Sequence, residues 1–393
     1  MSERELIEAR VDRLLAEVDP IRSEVEFWGA QFDAGLAFVD YREGDGGLGV
    51  APGLQRLVDD RLAAAGAAFA NVRRNPIGYG MGAPTVEAHG DEEQRRRWLR
   101  PLFTAEEIWC QLFSEPGAGS DVAGLATMAV RDGEEWIVNG QKVWTTLAHT
   151  ARWGMLLTRS EPHVPKHQGL TYLIVDMAQP GVHVLPLRQM TGEAEFNEVF
   201  FTDVRVPDAN RLGAVGDGWR VAITTLMHER AFIGSDAPPK GTGPISRVVE
   251  TWRQSSQRQP ERRDDVMRLW VEAEAARLNT LRSADLREAG VPGPSGAIGK
   301  LLWAQLSKRI TELGLALLGS GGMLYPSTYE MVRPDSLGPV RHDIQQSFLR
   351  ARASSIEGGT SEIMRNILGE RVLGLPGEPR IDKDIPWNQV TRR

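Results

Sequence analysis

The spacing of apolar residues changes twice along this chain, and that double change limits the possible architectures more than any other feature. From the start to about residue 108 the spacing is helical, with Leu54, Leu57, Val58, Leu62 and Ala65 on one stripe and breaks at 44–49 and at Asn75-Pro76. Between about 109 and 212 the texture is that of strands. Residues 109–114 are strand-like, and further candidates at 170–175, 182–187 and 197–206 are each bounded by Gly, Pro or Asp. The segments Glu135-Trp136-Ile137-Val138 and Gln141-Lys142-Val143-Trp144 flank Asn139-Gly140, which predicts a strand, a two-residue turn and a strand. Beyond 213 the helical period returns over 219–234, 266–289 and 298–318, the last carrying Leu302, Leu306, Ile310, Leu313 and Leu317. Residues 235–263 and 290–296 read as connections. The expected fold is α+β: a helical domain over 1–108, a middle β domain over 109–212 and a helical bundle over 213–393.

Composition narrows the function classes. With 393 residues and 41% apolar content the chain can bury several cores. A net charge of -7 argues against nucleic acid phosphates or an anionic membrane surface as general partners. Cys110 is the single cysteine, so intramolecular disulfides and multi-thiolate metal sites are excluded, and a reducing cytoplasm is the expected home. Residues 1–19 are charged and helically spaced, without the apolar core of a signal peptide. The apolar runs, such as Tyr172-Leu173-Ile174-Val175, fall short of the ~20 residues that cross a bilayer, so no membrane span is expected.

Three segments could carry chemistry. The strand-like 109–114 runs into Glu115-Pro116-Gly117-Ala118-Gly119-Ser120-Asp121, a loop of nearly bare backbone. It is either a plain turn or a place where main-chain N–H groups approach a pyrophosphate or the edge of a flavin. Val143-Trp144-Thr145-Thr146 offers an aromatic and two hydroxyls to a planar cofactor, or is simply a strand. Near the carboxyl end, Glu357-Gly358-Gly359-Thr360-Ser361-Glu362-Ile363 leads into a helix, with Thr360 or Ser361 as its cap or with the helix start facing an anion.

These three segments, in this order, resemble the acyl-CoA dehydrogenase family over nearly the whole chain. The resemblance implies a helical amino domain, a β-barrel-like middle domain, a carboxyl helical bundle and FAD bound between domains and across a subunit contact. It implies oxidation of the Cα–Cβ bond of an acyl-CoA thioester to the trans-2-enoyl-CoA, with an electron-transfer flavoprotein as acceptor and a homodimer or homotetramer as the assembly. Phe113, Ser114, Gly119 and Ser120 match the flavin-contacting stretch, with Ser120 also near the pantetheine arm. Trp144, Thr145 and Thr146 match residues beside the flavin ring, and Thr360 and Glu362 match contacts to the diphosphate and adenosine.

The chemistry needs a carboxylate at the substrate α-carbon while a β-hydride departs to flavin N5. In many relatives that glutamate directly precedes Gly-Thr-Ser, a slot that here holds Gly358, with Glu357 one residue early. A second branch, resembling isovaleryl- and long-chain acyl-CoA dehydrogenases, carries it on the first carboxyl-domain helix before an arginine, and here His228-Glu229-Arg230 stands there. Glu229 is the primary candidate base, Glu357 the second, and Arg230 a candidate substrate contact. The apolar stripe Val221, Ile223, Leu226 and Met227 is expected to face the bundle.

Other signals are set aside. Arg95-Arg96-Arg97 is expected to be a solvated helix face. Residues 44–49 have G-x-G-x-x-G spacing but no surrounding βαβ unit. His149, His163 and His167 are expected to be exposed loop residues rather than metal ligands. Residues 251–256 do not match the family's Arg-x-x-Phe-Gly contact to a neighbour's flavin, whereas Gly319-Ser320-Gly321-Gly322 keeps a glycine-rich backbone for such a contact. The rival readings are a non-catalytic subunit of a hetero-oligomer, which Glu229 and an intact 115–121 loop argue against, and a flavin oxidase or monooxygenase on the same fold.

Overall fold

The computed structural model describes residues 1–233, 237–254, 260–288, 295–325, 330–336 and 343–390. The amino-terminal helices are α1 (Glu3–Glu17), α2 (Glu24–Asp33), α3 (Gln55–Ala64), α4 (Ala70–Arg74), α5 (Ala83–His89) and α6 (Glu92–Phe103), with a π-helical turn at Gly78–Gly82. Ser2 and Asp91 start α1 and α6 through capping boxes with Glu5 and Gln94, which satisfy backbone donors at each end. Ile7 and Val11 of α1, Phe27 and Trp28 of α2, Val58 and Leu62 of α3 and Leu99 of α6 are buried in one core. Arg95 departs from the predicted solvated face: its guanidinium reaches Asp45 at 2.7 Å and pins the 44–49 loop, while Arg96 and Arg97 are exposed.

The strands β1 (Trp109–Leu112), β2 (Met128–Asp132), β3 (Glu135–Thr146), β4 (Trp153–Arg159), β5 (Leu170–Asp176), β6 (Val182–Pro186), β7 (Phe196–Pro207) and β8 (Arg211–Leu212) form one sheet. Its order is β6-β7-β3-β2-β4-β5-β8, with β1 parallel to β4, and the sheet is not closed. The α+β order of helices, strands and helices is the expected one. Every residue of β4 is buried, so Met155-Leu156-Leu157 shows no alternation for a sequence reading to detect.

Asn139-Gly140 does not turn. The hairpin turn is Gly133-Glu134, with Gly133 at φ +62°, and β3 runs on through Asn139 and Gly140. There the pairing with β7 shifts register, and Asn139 Oδ1 accepts from the Asp203 N–H at 2.9 Å. A Cβ on Gly140 would lie 2.4 Å from Thr127 Oγ1, so close approach rather than a turn explains the glycine.

The carboxyl-terminal helices are α7 (Gly218–Ile233), α8 (Pro244–Gln254), α9 (Pro260–Glu288), α10 (Ser295–Leu318), α11 (Ile344–Ala351) and α12 (Ser361–Ile367). Helix α8 corrects the connection predicted over 235–263: Ile245, Val248, Val249 and Trp252 stand at helical spacing and pack with Val266, Leu269, Leu306, Ile310 and Leu313 of α9 and α10. The predicted connection at 290–296 lies outside the described residues except for 295 and 296, which open α10. Helix α7 turns its face elsewhere than expected. Val221, Ala222 and Thr225 are buried against the amino-terminal helices and β5, whereas Met227 is 61% exposed.

Beyond α12 the chain returns to the middle sheet. Lys166 bridges Asp121 and Asp382, Trp387 donates from Nε1 to the Gly124 carbonyl at 3.2 Å, and the Arg159 guanidinium lies 4.7 Å from the Trp387 ring.

Candidate active site

The loop after β1 is shaped by a buried ion pair. Lys142 of β3 is fully buried, and its Nζ donates to the Phe113 carbonyl and to Glu115 Oε1, both at 2.9 Å. The Glu115 carboxylate also accepts from the N–H groups of Ala126 at 2.7 Å and Thr127 at 2.9 Å. Burial pushes this carboxyl up, but the Lys142 charge and these hydrogen bonds outweigh it and hold it below the usual range. Glu115 is therefore a clasp and not a ligand contact. Glu115 and Ala118 exchange backbone hydrogen bonds, so the bland reading of the loop as a tight turn is correct for this part. Phe113 is buried with its ring edge-on to Tyr172, and Ser114 accepts from the Val143 N–H at 2.9 Å.

Past the turn the backbone faces outward. Gly117, Gly119 and Ser120 are exposed, and among the described residues no heavy atom beyond the adjoining ones lies within 4 Å of a Cβ built on either glycine. The space beside this backbone belongs to no described residue, which suits a phosphate arm or a flat ring at close range.

Trp144 holds φ +60°, a conformation that costs a bulky residue on the order of 1–3 kcal/mol. The residue is 58% exposed, and its ring is edge-on to Phe196 at 5.7 Å. The Thr145 hydroxyl beside it is buried and has no hydrogen-bond partner among the described residues. Thr146 is partly buried and pairs with Phe196 in the β3–β7 ladder. A strained exposed indole next to an unpartnered buried hydroxyl fits a planar heteroaromatic group with a polar edge, and a flavin is such a group.

At the carboxyl end, Gly358 and Gly359 take φ +60° and +91°, and Thr360 caps α12 by accepting from the Ile363 N–H at 3.2 Å. Glu362 is exposed and paired with Arg365 at 3.1 Å. Helix α12 still meets the first loop: a cleft of about 360 Å³ is lined by Ser120 and Asp121 on one side and by Ile363, Asn366, Ile367 and Arg371 on the other.

The two carboxylate candidates differ in their company. Glu229, near the end of α7, is half-buried, makes no ion pair among the described residues and accepts one hydrogen bond, from Gln111 Nε2 at 3.4 Å. Burial pushes its carboxyl above the usual range. Gln111, Arg230 and Lys300 draw it down less strongly, and Glu357 adds to the rise. Burial lowers the Arg230 guanidinium, with Glu229 opposing that shift and Arg371 adding to it. Both oxygens of Glu357 are engaged by Arg350, each at 2.9 Å, and Arg350 also approaches Glu195 at 3.7 Å. An electrostatic line thus runs from Glu229 through Lys300 of α10 to Glu357.

The segments set aside are structural. A Cβ on Gly47 would sit 2.2 Å from the Tyr41 carbonyl, so the 44–49 loop folds onto its own chain. His163 is exposed as expected. His149 and His167 are not, since His149 bonds the Pro334 carbonyl at 2.8 Å and His167 stacks edge-on to Trp219. Trp252 packs into the α8–α10 core, Ser255 and Ser256 lie outside the described residues, and Gly321 accepts from Gln345 in a turn after α10. Sequence reasoning passed over Gln111, Lys142, Lys300 and Arg350. One signal was available for the first: a lone polar residue between apolar neighbours on a strand, as in Cys110-Gln111-Leu112.

Models of the acyl-CoA dehydrogenase amino-terminal, middle and carboxyl-terminal domains match residues 2–106, 110–204 and 216–373. The acyl-CoA dehydrogenase IpdE1 of Mycobacterium tuberculosis is 39% identical over 348 residues, spanning 88% of this chain and 86% of that protein. The solved ChsE4-ChsE5 complex from Mycobacterium tuberculosis is similar at a TM-score of 0.69 and 26% identity, covering 96% of this chain and 99% of the other. A structure titled Tcur3481-Tcur3483 steroid ACAD shares the fold at a TM-score of 0.72 and 24% identity, covering 95% and 97%.

Proposed function

We infer, for a chain that belongs to the acyl-CoA dehydrogenase family and is an FAD-dependent oxidoreductase, that it desaturates the Cα–Cβ bond of an acyl-CoA thioester with Glu229 as the base. FAD, when bound, supplies the acceptor for the hydride that leaves the β-carbon. Glu229 takes the α-proton, and the electron pair of that C–H bond becomes the new double bond. The observation that carries this reading is the environment of Glu229: half-buried, free of any ion pair among the described residues and pushed toward higher basicity by burial. Glu357, with both oxygens held by Arg350, is the weaker candidate.

The remaining residues have supporting tasks in this reading. Ser114, Gly119, Ser120, Trp144, Thr145 and Thr146 hold the flavin and the thioester arm, with the unpartnered Thr145 hydroxyl on the ring's polar edge. Thr360 and Glu362 contribute through the start of α12, and Arg230 steadies the substrate. The division at 108 and 212 belongs to the same proposal, as do a cytoplasmic location and an electron-transfer flavoprotein as acceptor. No helix among the described residues is long and apolar enough to cross a membrane. Met267, Val271 and Leu278 leave an exposed apolar line on α9, which supports a contact with another subunit, in a homo-oligomer or with a related chain.

The test is a panel of thioesters, from butyryl-CoA through palmitoyl-CoA to a steroid side-chain CoA ester, with an artificial electron acceptor. Glu229→Gln should keep its bound flavin and lose at least about a thousand-fold in kcat, while Glu357→Gln turns over measurably. The opposite pattern would move the base to Glu357. A protein that neither carries nor takes up flavin would end the catalytic reading and leave the non-catalytic subunit.

A further inference from the structure

Strand β1 carries two things at once. At its end the chain passes into Phe113, Ser114 and the 115–121 loop. Within it, Cys110 and Leu112 are fully buried while Gln111 is only partly so, and the pleat sends Gln111 to the opposite face from its neighbours. On that face its amide meets the Glu229 carboxylate of α7.

The charged groups that bear on Glu229 are Arg230 on its own helix, Lys300 on α10 and Glu357 on the segment before α12. None forms an ion pair with it among the described residues, so the neutral Gln111 amide is the group that fixes the direction of the carboxylate. The choice of donor has a chemical consequence. A cation in contact would lower the carboxyl pKa by about 1–3 units and blunt a base, whereas an amide orients it at a smaller loss of basicity. A 3.4 Å contact is also one that can shorten when a ligand closes the site.

We propose that Gln111 is a positioning residue for Glu229, holding the base in register with the strand that carries the flavin-side loop. This rests on Glu229 being the base.

Infrared difference spectroscopy across pH on the FAD-loaded protein, with Glu229→Gln as the blank, follows that single carboxyl without any substrate. Gln111→Met, which keeps the length and removes the donor, should raise its titration midpoint by about half to one pH unit. Gln111→Glu, equal in size, should raise it further because a second carboxylate then faces it. In the thioester panel both variants should move the acidic limb of kcat/KM upward. Gln111→Met should lower kcat about ten-fold with KM changed less than about two-fold. A midpoint unmoved in both variants overturns the proposal even if kcat falls, since a merely structural glutamine would lower activity without moving the titration. Turnover by Glu229→Gln would remove the base reading itself, and with it the positioning role, whatever the midpoint does.

Discussion

Glu229, the base proposed above, shows at the scale of one residue what burial does to a carboxyl that has no ion pair among the described residues. Its folded pKa is raised by burial, so the stability it contributes is present below the unfolded value of about 4.3 and is lost as pH rises through the folded value. At neutral pH the buried carboxyl therefore lowers the stability of the fold. Glu229→Gln should melt higher than the parent at pH 7, with the gap closing below about pH 4; calorimetry across pH tests this. A variant that melts lower at pH 7 would place Glu229 among the fold's supports. Glu115 has the opposite sign. Its lowered pKa means that its contribution is present at neutral pH and fades as pH falls through the folded value.

At the scale of elements, the loop at 115–121 owes its shape to a lysine on another strand. Lys142→Met would leave the Glu115 carboxylate buried without its cation, which costs about 3–5 kcal/mol in comparable cases. Chemical denaturation should show that loss, flavin affinity should fall with it, and adding Glu115→Gln should recover part of both. Unchanged stability in the single variant would mean that the pair does not clamp the loop. The same scale explains two misreadings. Asn139-Gly140 has the chemistry of a turn, but the chain behind it spends that chemistry on a bulge, because β7 offers Asp203 as a partner and Thr127 leaves no room for a Cβ. Helix α8 was hidden by its flanks, since the prolines and glycines before it outweigh a short apolar stripe in any local count.

At the scale of the whole molecule, the return of residues 382–390 to the middle sheet ties the carboxyl end to the segment after Ser120. Trp387→Ala should remove the Gly124 hydrogen bond and the packing under Arg159 together. Faster amide hydrogen exchange over 121–125 is the expected result, with exchange over α1 and α3 unchanged. Uniform acceleration throughout would instead mark a global loss of stability. The apolar periodicities by themselves determined the order of helices, strands and helices, because burying a stripe or a face needs a fixed spacing along the chain. The three motif segments were equally legible as glycine, hydroxyl and carboxylate patterns. Only the tertiary structure decided that Glu115 faces inward to Lys142, that Arg350 occupies Glu357 and that Gln111 meets Glu229. Each of those pairings joins residues whose mutual distance no local spacing encodes, and burial and charge acting between them decide which carboxylate remains available for chemistry.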